Sequence, residues 1–317
     1  MSNETTEENK RGKLLLVGFG PGAHEHLTYR ARAAIAEAEV VIGYSTYIKL
    51  ISDLLEGKEI HRKGMSEELD RVHLAYDMAM AGRKVALISS GDICVYGMAG
   101  PAMEVLTERG WTGLDDPNVE VEVVPGISAV NAIASLVGAP LTHDYCTISL
   151  SDLLTPWPVI EKRVIAATQG DFVVSLYNPQ SKRRTWQLPK TVEIMLEHGR
   201  DPKTPVAIVK SAYRRRQNIV LTTLDDLCNH KIGMLTTVLV GNSNTRFAAG
   251  RMITPRGYSN KYDMNSGMVR DGQEPLRSIR LDEEGNPIQG DLKEKTNVVY
   301  PGATEFQPKG SKPQDPQ

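Results

Sequence analysis

The sequence predicts an α/β protein with two α/β domains, and two observations lead to this prediction. Short apolar runs that end in glycine or at a turn alternate with helix-like segments through the first half of the 317 residues. Strands that alternate with helices form mostly parallel sheets covered by helices. A second series of strand and helix patterns begins near residue 141, and a long polar segment follows it.

Changes in composition divide the chain into four segments. Residues 1–12 form a polar N-terminal tail, residues 13–140 a first α/β domain and residues 141–257 a second one. Residues 258–317 are rich in Gly, Pro, Asn and charged side chains. Such a segment buries too little apolar surface to offset the entropy lost on folding, so we expect a disordered or loosely packed extension.

Local sequence patterns predict the strands and helices of both domains. Strands are predicted at residues 13–18, 40–43, 84–89 and 119–124. Thr28 is placed to cap a helix with one apolar face, and Ser128 to cap a helix that ends before Gly138. In the second domain the patterns predict strands at residues 146–150, 172–176, 206–210, 218–221 and 237–240, and helices at 158–168, 189–197 and 223–230.

Composition argues against several classes of function. The formal net charge of -2 does not favour binding to nucleic acid or to an anionic membrane. No apolar run reaches the roughly 18–20 residues of a membrane helix, and the polar N-terminus does not resemble a signal peptide. The distant cysteines Cys94, Cys146 and Cys228 match no zinc or iron–sulfur spacing. We therefore expect a cytoplasmic protein without a metal site.

A glycine-rich motif, GFGPG at residues 18–22, follows the first predicted strand. Glycines there let backbone amides approach a ligand, and the motif nearly matches a dinucleotide-binding fingerprint. Two features oppose that interpretation, which would make the chain a nicotinamide-dependent oxidoreductase. The helix starts only near Thr28, and the second strand ends at residues 43–45 without an acid to bind a ribose. A glycine turn without any ligand is the remaining alternative.

Two further turns follow predicted strands of the same sheet. Asp92, in the motif SGDICVYG, either contacts a ligand or caps the next helix. The motif PGISA at residues 125–129 adds small residues and a hydroxyl group. Because the carboxyl ends of parallel strands lie at one edge, the three turns should converge on a single binding site.

Basic clusters supply the expected anion-binding groups. Lys182, Arg183 and Arg184 follow the strand that ends in YNPQS, and residues 214–216 form a second cluster of three arginines. Guanidinium groups pair with carboxylates or phosphates through two hydrogen bonds. A solvated charged loop is the alternative for both clusters.

The motifs GFGPG, SGDICVYG, PGISA and TPVAIV, in this order and spacing, resemble those of the tetrapyrrole methylase family across residues 13–245. Further stretches, LTHDY through SDLLTPW, YNPQSKRR and TTVLVGNSNT, resemble the branch that methylates C17 of a corrin precursor and contracts the macrocycle. One departure is Ile93-Cys94, where the family usually has proline after Gly-Asp.

The resemblance implies S-adenosyl-L-methionine as the cofactor, bound in a cleft between the two domains of a tetrapyrrole methylase fold. The positions that match family contacts with the cofactor are Gly20, Pro21, Ser90, Gly91, Asp92, Val95, Ser128, Ala129, Asn178, Ala212 and Thr237. Lys182, Arg183 and Arg184 would bind the carboxylates of a tetrapyrrole substrate. The chain is expected to form a homodimer.

Ring contraction requires proton transfer at a ring hydroxyl, for which His143, Asp144 and Asp152 are the candidate acid/base residues. His143 and Asp144 would alternatively only stabilise the link between the domains. Other open functions are a sister methylase acting at another ring position and a tetrapyrrole-binding protein without activity.

Overall fold

The computed structural model describes residues 11–64, 67–288 and 290. Residues 1–10 of the predicted N-terminal tail and residues 289 and 291–317 of the predicted extension lie outside the described residues. The strands are β1 Gly12–Gly18, β2 Val40–Tyr44, β3 Glu59–Lys63, β4 Lys84–Ser89, β5 Val119–Val124, β6 Gly138–Ala139, β7 Tyr145–Ser149, β8 Val173–Tyr177, β9 Pro205–Lys210, β10 Asn218–Thr223, β11 Thr236–Val240, β12 Arg246–Ala248 and β13 Arg251–Ile253. The α-helices are α1 Tyr29–Glu37, α2 Ser45–Leu50, α3 Glu68–Met80, α4 Ala99–Glu108, α5 Ala129–Val137, α6 Trp157–Gln169 and α7 Gln187–Glu197.

The first sheet is fully parallel and has the strand order β3-β2-β4-β1-β5. The interior strand β1 is apolar on both faces because helices cover both sides of the sheet. Leu14 and Leu16 belong to the core on the side of α3 and α4, whereas Leu15 and Val17 belong to the core on the side of α1 and α2. The parallel arrangement predicted for this half is thus confirmed.

The second sheet is mixed, with the strand order β10-β9-β11-β8-β7. Strands β7 and β8 are parallel, while β8, β11, β9 and β10 pair antiparallel. Helices α6 and α7 contribute apolar residues to the core on one face. The carboxyl ends of β8 and β9 and the amino end of β11 therefore meet at the same edge.

Helix α5 follows the first sheet in sequence but packs against the second. Its residues Val130, Ile133 and Val137 share a core with Val209 and Leu239 of β9 and β11. This packing brings the turn before α5 to the second sheet. The domain boundary expected at residue 140 stays a prediction, because contacts join the two sheets in one unit that extends to Thr254.

A second unit begins at Pro255. Its described part contains a 3-10 turn at Tyr258–Asn260 and two isolated bridges. Gln273 is 1% exposed, and its amide nitrogen donates to the carbonyl groups of Arg280 at 2.9 Å and Ile288 at 2.8 Å. A buried amide thus organises part of the polar segment.

The helix predicted at residues 223–230 is wrong. Strand β10 continues to Thr223, and only a 3-10 turn forms at Leu227–Asn229. The carboxylate of Asp226 accepts hydrogen bonds from Thr222 at 2.7 Å and Asn229 at 2.9 Å. Such local side-chain bonds favour a turn over a continuous helix.

Candidate functional site

Three turns meet at the carboxyl ends of β4, β1 and β5, which are neighbours in the first sheet. Gly20 and Gly91 exchange backbone hydrogen bonds of 3.0 and 2.7 Å. Their φ angles of 73° and 76° lie in the region that favours glycine. The turns that were expected to converge on one edge are thus bonded to each other through their backbones.

The third turn approaches the other two so closely that it requires glycine at residue 126. A Cβ atom on Gly126 would lie 2.3 Å from the carbonyl oxygen of Gly91 and 2.5 Å from that of Gly18. Neither backbone oxygen can move away without disturbing the turns. The glycines of these motifs are therefore explained by backbone packing as well as by room for a ligand.

Asp92 joins two of these turns. One carboxylate oxygen accepts from the N–H of Cys94 at 2.8 Å and the other from the N–H of Gly126 at 2.9 Å. The following helix α4 begins after Met98 without a side-chain cap, so Asp92 does not cap it. Its carboxylate holds the SGD turn against the PGISA turn.

A cleft opens between these turns and the edge of the second sheet formed by β8, β9 and β11. Residues of both parts line it: Pro21, Tyr47, Ser90, Gly91, Val95, Tyr96, Ala129, Ala132, Ile133, Tyr177, Asn178, Val209, Ser211, Ala212, Arg214, Met234, Leu235, Thr236 and Thr237. The structure thus brings together eight residues predicted to bind the cofactor: Pro21, Ser90, Gly91, Val95, Ala129, Asn178, Ala212 and Thr237.

Gly20, Asp92 and Ser128 do not line the cleft but lie in the turns that form it. Ser128 occupies the N-cap position of α5, although its side chain makes no capping hydrogen bond. The N–H of Val130 instead donates to the hydroxyl of Tyr177 at 2.9 Å. The turn before α5 is consequently tied to the end of β8.

Sequence reasoning missed the aromatic lining residues Tyr47, Tyr96 and Tyr177, and it named Arg214 only as one of a cluster of three arginines. Tyr96 packs on Tyr177 with ring centroids 5.1 Å apart, across the two parts of the cleft. Tyr177 directly precedes Asn178 in the YNPQS motif, which was the available signal for it. Burial raises the pKa of the Tyr177 phenol, so this hydroxyl stays protonated near neutral pH.

Unusual backbone angles concentrate at this cleft. Tyr96, Asn178 and Ser211 line it with φ angles of 51°, 49° and 53°. Tyr213, one residue before Arg214, has a φ of 55°. Positive φ is costly for residues other than glycine, and such strain concentrates at functional sites.

The predicted substrate-binding cations differ in their surroundings. Arg184 donates to the carbonyl oxygen of Leu150 at 3.1 Å and also to that of Asn178. Burial lowers its pKa, an effect opposed by the nearby Asp152. Lys182 and Arg183 are exposed. Arg184 therefore stabilises the loop beside Asn178, while the other two side chains face solvent.

The candidate acid/base residues lie at opposite ends of β7. His143 and Asp144 precede the strand, with side chains 41% and 82% exposed, and the His143 ring accepts from the N–H of Asp144 at 2.8 Å. Asp152 follows the strand and accepts from the amide of Gln187 at 2.9 Å. Because β7 and β8 are parallel, Asp152 shares its end of the sheet with Asn178.

The residues of the cleft fit an adenosyl amino acid. Gly91, Ala129 and Ala212 leave space, and a Cβ atom built on Gly91 meets only the Ala129 nitrogen, at 3.8 Å. Tyrosine rings offer surfaces for a purine. The half-buried Arg214 adds a positively charged guanidinium to the lining of the cleft.

Across the described ranges, no group of three or more His, Cys, Asp or Glu side chains could hold a metal ion. None of the helices in the described part of the chain has the length and hydropathy needed to cross a membrane.

Comparison with known families assigns the class of the protein. Residues 13–228 match the family model of the Tetrapyrrole (Corrin/Porphyrin) Methylases. This match covers more than half of the chain and includes the first sheet and four of the five strands of the second, all but β11. The chain belongs to this family of methyltransferases, whose methyl donor is S-adenosylmethionine.

Two related methyltransferases are similar to this chain over most of its length. The probable cobalt-factor III C(17)-methyltransferase of Salmonella typhimurium is 46% identical over 246 residues, which are 78% of this chain and 99% of that protein. The cobalt-factor III methyltransferase of Priestia megaterium is 55% identical over 285 residues, 90% of this chain. The chain spans about half the length of that relative, 51%.

Solved structures agree with the family. The methyltransferase CobJ matches with a TM-score of 0.70 and 36% identity over 77% of this chain and 100% of that chain. The cobalt precorrin-4 methyltransferase CbiF matches with a TM-score of 0.59 and 25% identity over 72% and 94%. The predicted fold class, family and cofactor are thus confirmed, and the family membership favours methyl transfer over the nicotinamide alternative.

Proposed function

We propose that this chain methylates C17 of cobalt-factor III, with contraction of the macrocycle by one carbon, in cobalamin biosynthesis. The observation that carries the proposal is the match along 99% of the Salmonella relative, whose name is probable cobalt-factor III C(17)-methyltransferase. Ring contraction is what the resemblance of the sequence motifs implies. The sequence left open whether the substrate is metal-free precorrin-3B or a cobalt complex. The names of the relatives favour the cobalt complex.

The chain contributes to methyl transfer mainly by positioning the methyl donor and the tetrapyrrole. S-adenosylmethionine supplies an electrophilic methyl group to an electron-rich ring carbon. The turns of the first sheet and the ends of β8, β9 and β11 line the cleft from two sides, so that the two reactants are held in alignment between them. No lining residue needs to act as a strong base for the methyl transfer itself.

Ring contraction needs a proton-transfer group, and Asp152 is the best supported of the three candidates. It follows β7 on the side of Asn178, whereas His143 and Asp144 are separated from that side by the strand. We expect Asp152→Asn to yield methylated but uncontracted product. Asp144→Asn is the matched control, and loss of contraction in that variant alone would contradict the assignment.

The substrate carries several carboxylate groups, and the exposed Lys182 and Arg183 are the proposed partners. Arg183→Ala should weaken tetrapyrrole binding by about tenfold, while binding of S-adenosylhomocysteine stays unchanged. Arg184→Ala should affect both ligands, because it also removes the bonds to the loop of Asn178. If Arg183→Ala leaves tetrapyrrole affinity and its salt dependence untouched, the carboxylates bind elsewhere.

Product analysis tests the function directly. The protein is incubated with S-adenosylmethionine and either cobalt-factor III or precorrin-3B, and the products are identified by mass spectrometry and NMR. We expect one added methyl group at C17 and a contracted ring from the cobalt complex. Methylation at another ring position would identify a sister methylase, and binding without turnover would identify a tetrapyrrole-binding protein.

The sequence also predicts a homodimer in the cytoplasm that does not bind nucleic acid, and we keep these as part of the proposal. The net charge of -2 supports the last point. Light scattering at several protein concentrations tests the dimer, for which a constant monomer mass would be the contrary result.

A further inference from the structure

Arg214 reaches from the loop after β9 to the glycine turns of the first sheet. Its Nε donates to the carbonyl oxygen of Pro21 at 2.6 Å, and its Nη2 donates to the hydroxyl of Ser90 at 2.6 Å. Ser90 in turn donates to the carbonyl oxygen of Gly20 at 3.3 Å. The guanidinium is therefore bonded directly to two residues predicted to contact the cofactor, and it lines the cleft itself.

The surrounding loop holds Arg214 in this position. The ring of Tyr213 lies 3.9 Å from that of His26, and its hydroxyl is 2.8 Å from that of Ser135. A Cβ atom on Gly22 would lie 3.4 Å from the Arg214 Nε, so the last glycine of GFGPG leaves room for the side chain. A group fixed before binding loses little entropy when a ligand arrives.

The charge of Arg214 has no carboxylate partner among the residues that the structure describes. Burial lowers its pKa, because the charged form loses solvation, and only the Tyr47 phenol opposes this effect. Two arginines that are buried more deeply than the half-buried Arg214 have acidic neighbours: Arg200 lies 2.9 Å from Asp171, and Arg71 lies 3.9 Å from Glu68. Burying an unpaired charge is costly, so the environment of Arg214 favours an anionic ligand.

We infer that Arg214 binds a carboxylate group of a ligand in the cleft. The inference rests on the proposed function, because both ligands of that reaction carry carboxylates: the amino-acid end of S-adenosylmethionine and the side chains of the tetrapyrrole. Hydrogen bonds to Pro21 and Ser90 use Nε and Nη2 and leave the Nη1 edge for the ligand. In the sequence, Arg214 is one of a run of three arginines, and the pattern does not distinguish it from its exposed neighbours Arg215 and Arg216.

Calorimetry on the full chain distinguishes the two sources of the carboxylate. Wild type, Arg214→Ala and Arg214→Gln are titrated with S-adenosylhomocysteine, with 5′-methylthioadenosine, which lacks the amino-acid carboxylate, and with cobalt-factor III. Arg215→Ala is the matched control, because it removes an exposed charge one residue away. Arg214→Gln retains a hydrogen-bond donor and keeps the test valid if the alanine variant folds poorly.

If the amino-acid carboxylate is the partner, both variants bind S-adenosylhomocysteine about tenfold or more weakly than the wild type, and their affinity for methylthioadenosine is unchanged. If a tetrapyrrole carboxylate is the partner, only the affinity for cobalt-factor III falls by this factor. Either result supports the inference. Unchanged affinity for all three ligands would overturn it. So would an equal loss of affinity for S-adenosylhomocysteine and methylthioadenosine with unchanged affinity for cobalt-factor III. Because binding is measured without turnover, a wild type that binds but does not methylate C17 refutes the proposed function only.

Discussion

Single glycine positions determine whether the three turns of the first sheet can meet. We predict that Gly126→Ala destabilises the protein by about 1–3 kcal/mol, because the new Cβ atom would lie 2.3 Å from the Gly91 carbonyl oxygen. Binding of S-adenosylhomocysteine should weaken as the turns separate. Gly100→Ala in α4 is the control: apart from its chain neighbours and the adjacent backbone of its own helix, no atom lies within 4 Å of its Cβ position, so its thermal midpoint should stay equal or rise. Equal melting of both variants would contradict the packing argument.

Asp92 also acts at the scale of one side chain. Asp92→Asn replaces one accepting oxygen with a donor that faces the N–H of Cys94 or Gly126. We expect a loss of about 1–3 kcal/mol in the free energy of unfolding, measured by urea denaturation. Affinity for S-adenosylhomocysteine should fall indirectly, since the turn around Gly91 loses its support. Unchanged stability with lost affinity would instead indicate a direct contact between the carboxylate and the ligand.

At the scale of elements, the turn that leads into β5 depends on one buried carboxylate. Hydrogen bonds from the N–H of Thr112, and then of Val119 and Asn118, lower the pKa of Asp116 from 3.8 to about 2. A lowered folded-state pKa means that the stabilisation is complete above pH 3.8 and is lost as the pH falls through about 2. The difference corresponds to about 2 kcal/mol.

The corresponding prediction concerns acid unfolding. Asp116→Asn should lower stability at neutral pH and should flatten the fall in stability between about pH 4 and pH 2. Urea denaturation at several pH values measures this slope. A variant whose slope equals that of the wild type would show that other carboxylates dominate acid unfolding.

The first turn of helix α5 is stabilised by a hydrogen bond to Tyr177 at the end of β8. Tyr177→Phe removes the hydroxyl that accepts from the N–H of Val130 in the first turn of α5. We predict a loss of about 0.5–1.5 kcal/mol, measured by thermal denaturation, together with weaker binding of S-adenosylhomocysteine. Tyr145→Phe is the control, because its side chain is 42% exposed. Equal effects of both substitutions would refute a specific role for this bond.

At the scale of the whole molecule, every residue of the cleft lies in the unit that ends at Thr254. Removal of residues 255–317 should therefore leave a folded protein that binds S-adenosylhomocysteine with unchanged affinity. Thermal denaturation and calorimetry check this expectation. A folded truncated protein without affinity for this ligand would show that the extension completes the site.

The sequence by itself determined the two sheets, the family and much of the cofactor cleft. The apolar strand β1, the alternation of strands and helices and the glycine turns are local patterns, and parallel strands bring their carboxyl ends to one edge. Eight of the predicted cofactor residues therefore line the cleft. Thr28 was likewise predictable as a helix cap, and its hydroxyl accepts from the N–H of Ala31 at 3.0 Å.

Only the tertiary structure decided which of the polar side chains meet. Arg214 belongs to a run of three arginines in the sequence, but its loop turns it across the cleft toward Pro21 and Ser90 while Arg215 stays exposed. Asp92 was expected to contact a ligand or cap a helix, yet its carboxylate joins two turns. The bonds of Arg214 to Pro21 and Ser90, and the bond from Gly126 to Asp92, join residues distant along the chain, so no local pattern encodes them. The bonds of Arg214 also require that the two sheets lie side by side, and the packing of α5 against β9 and β11 contributes to that arrangement.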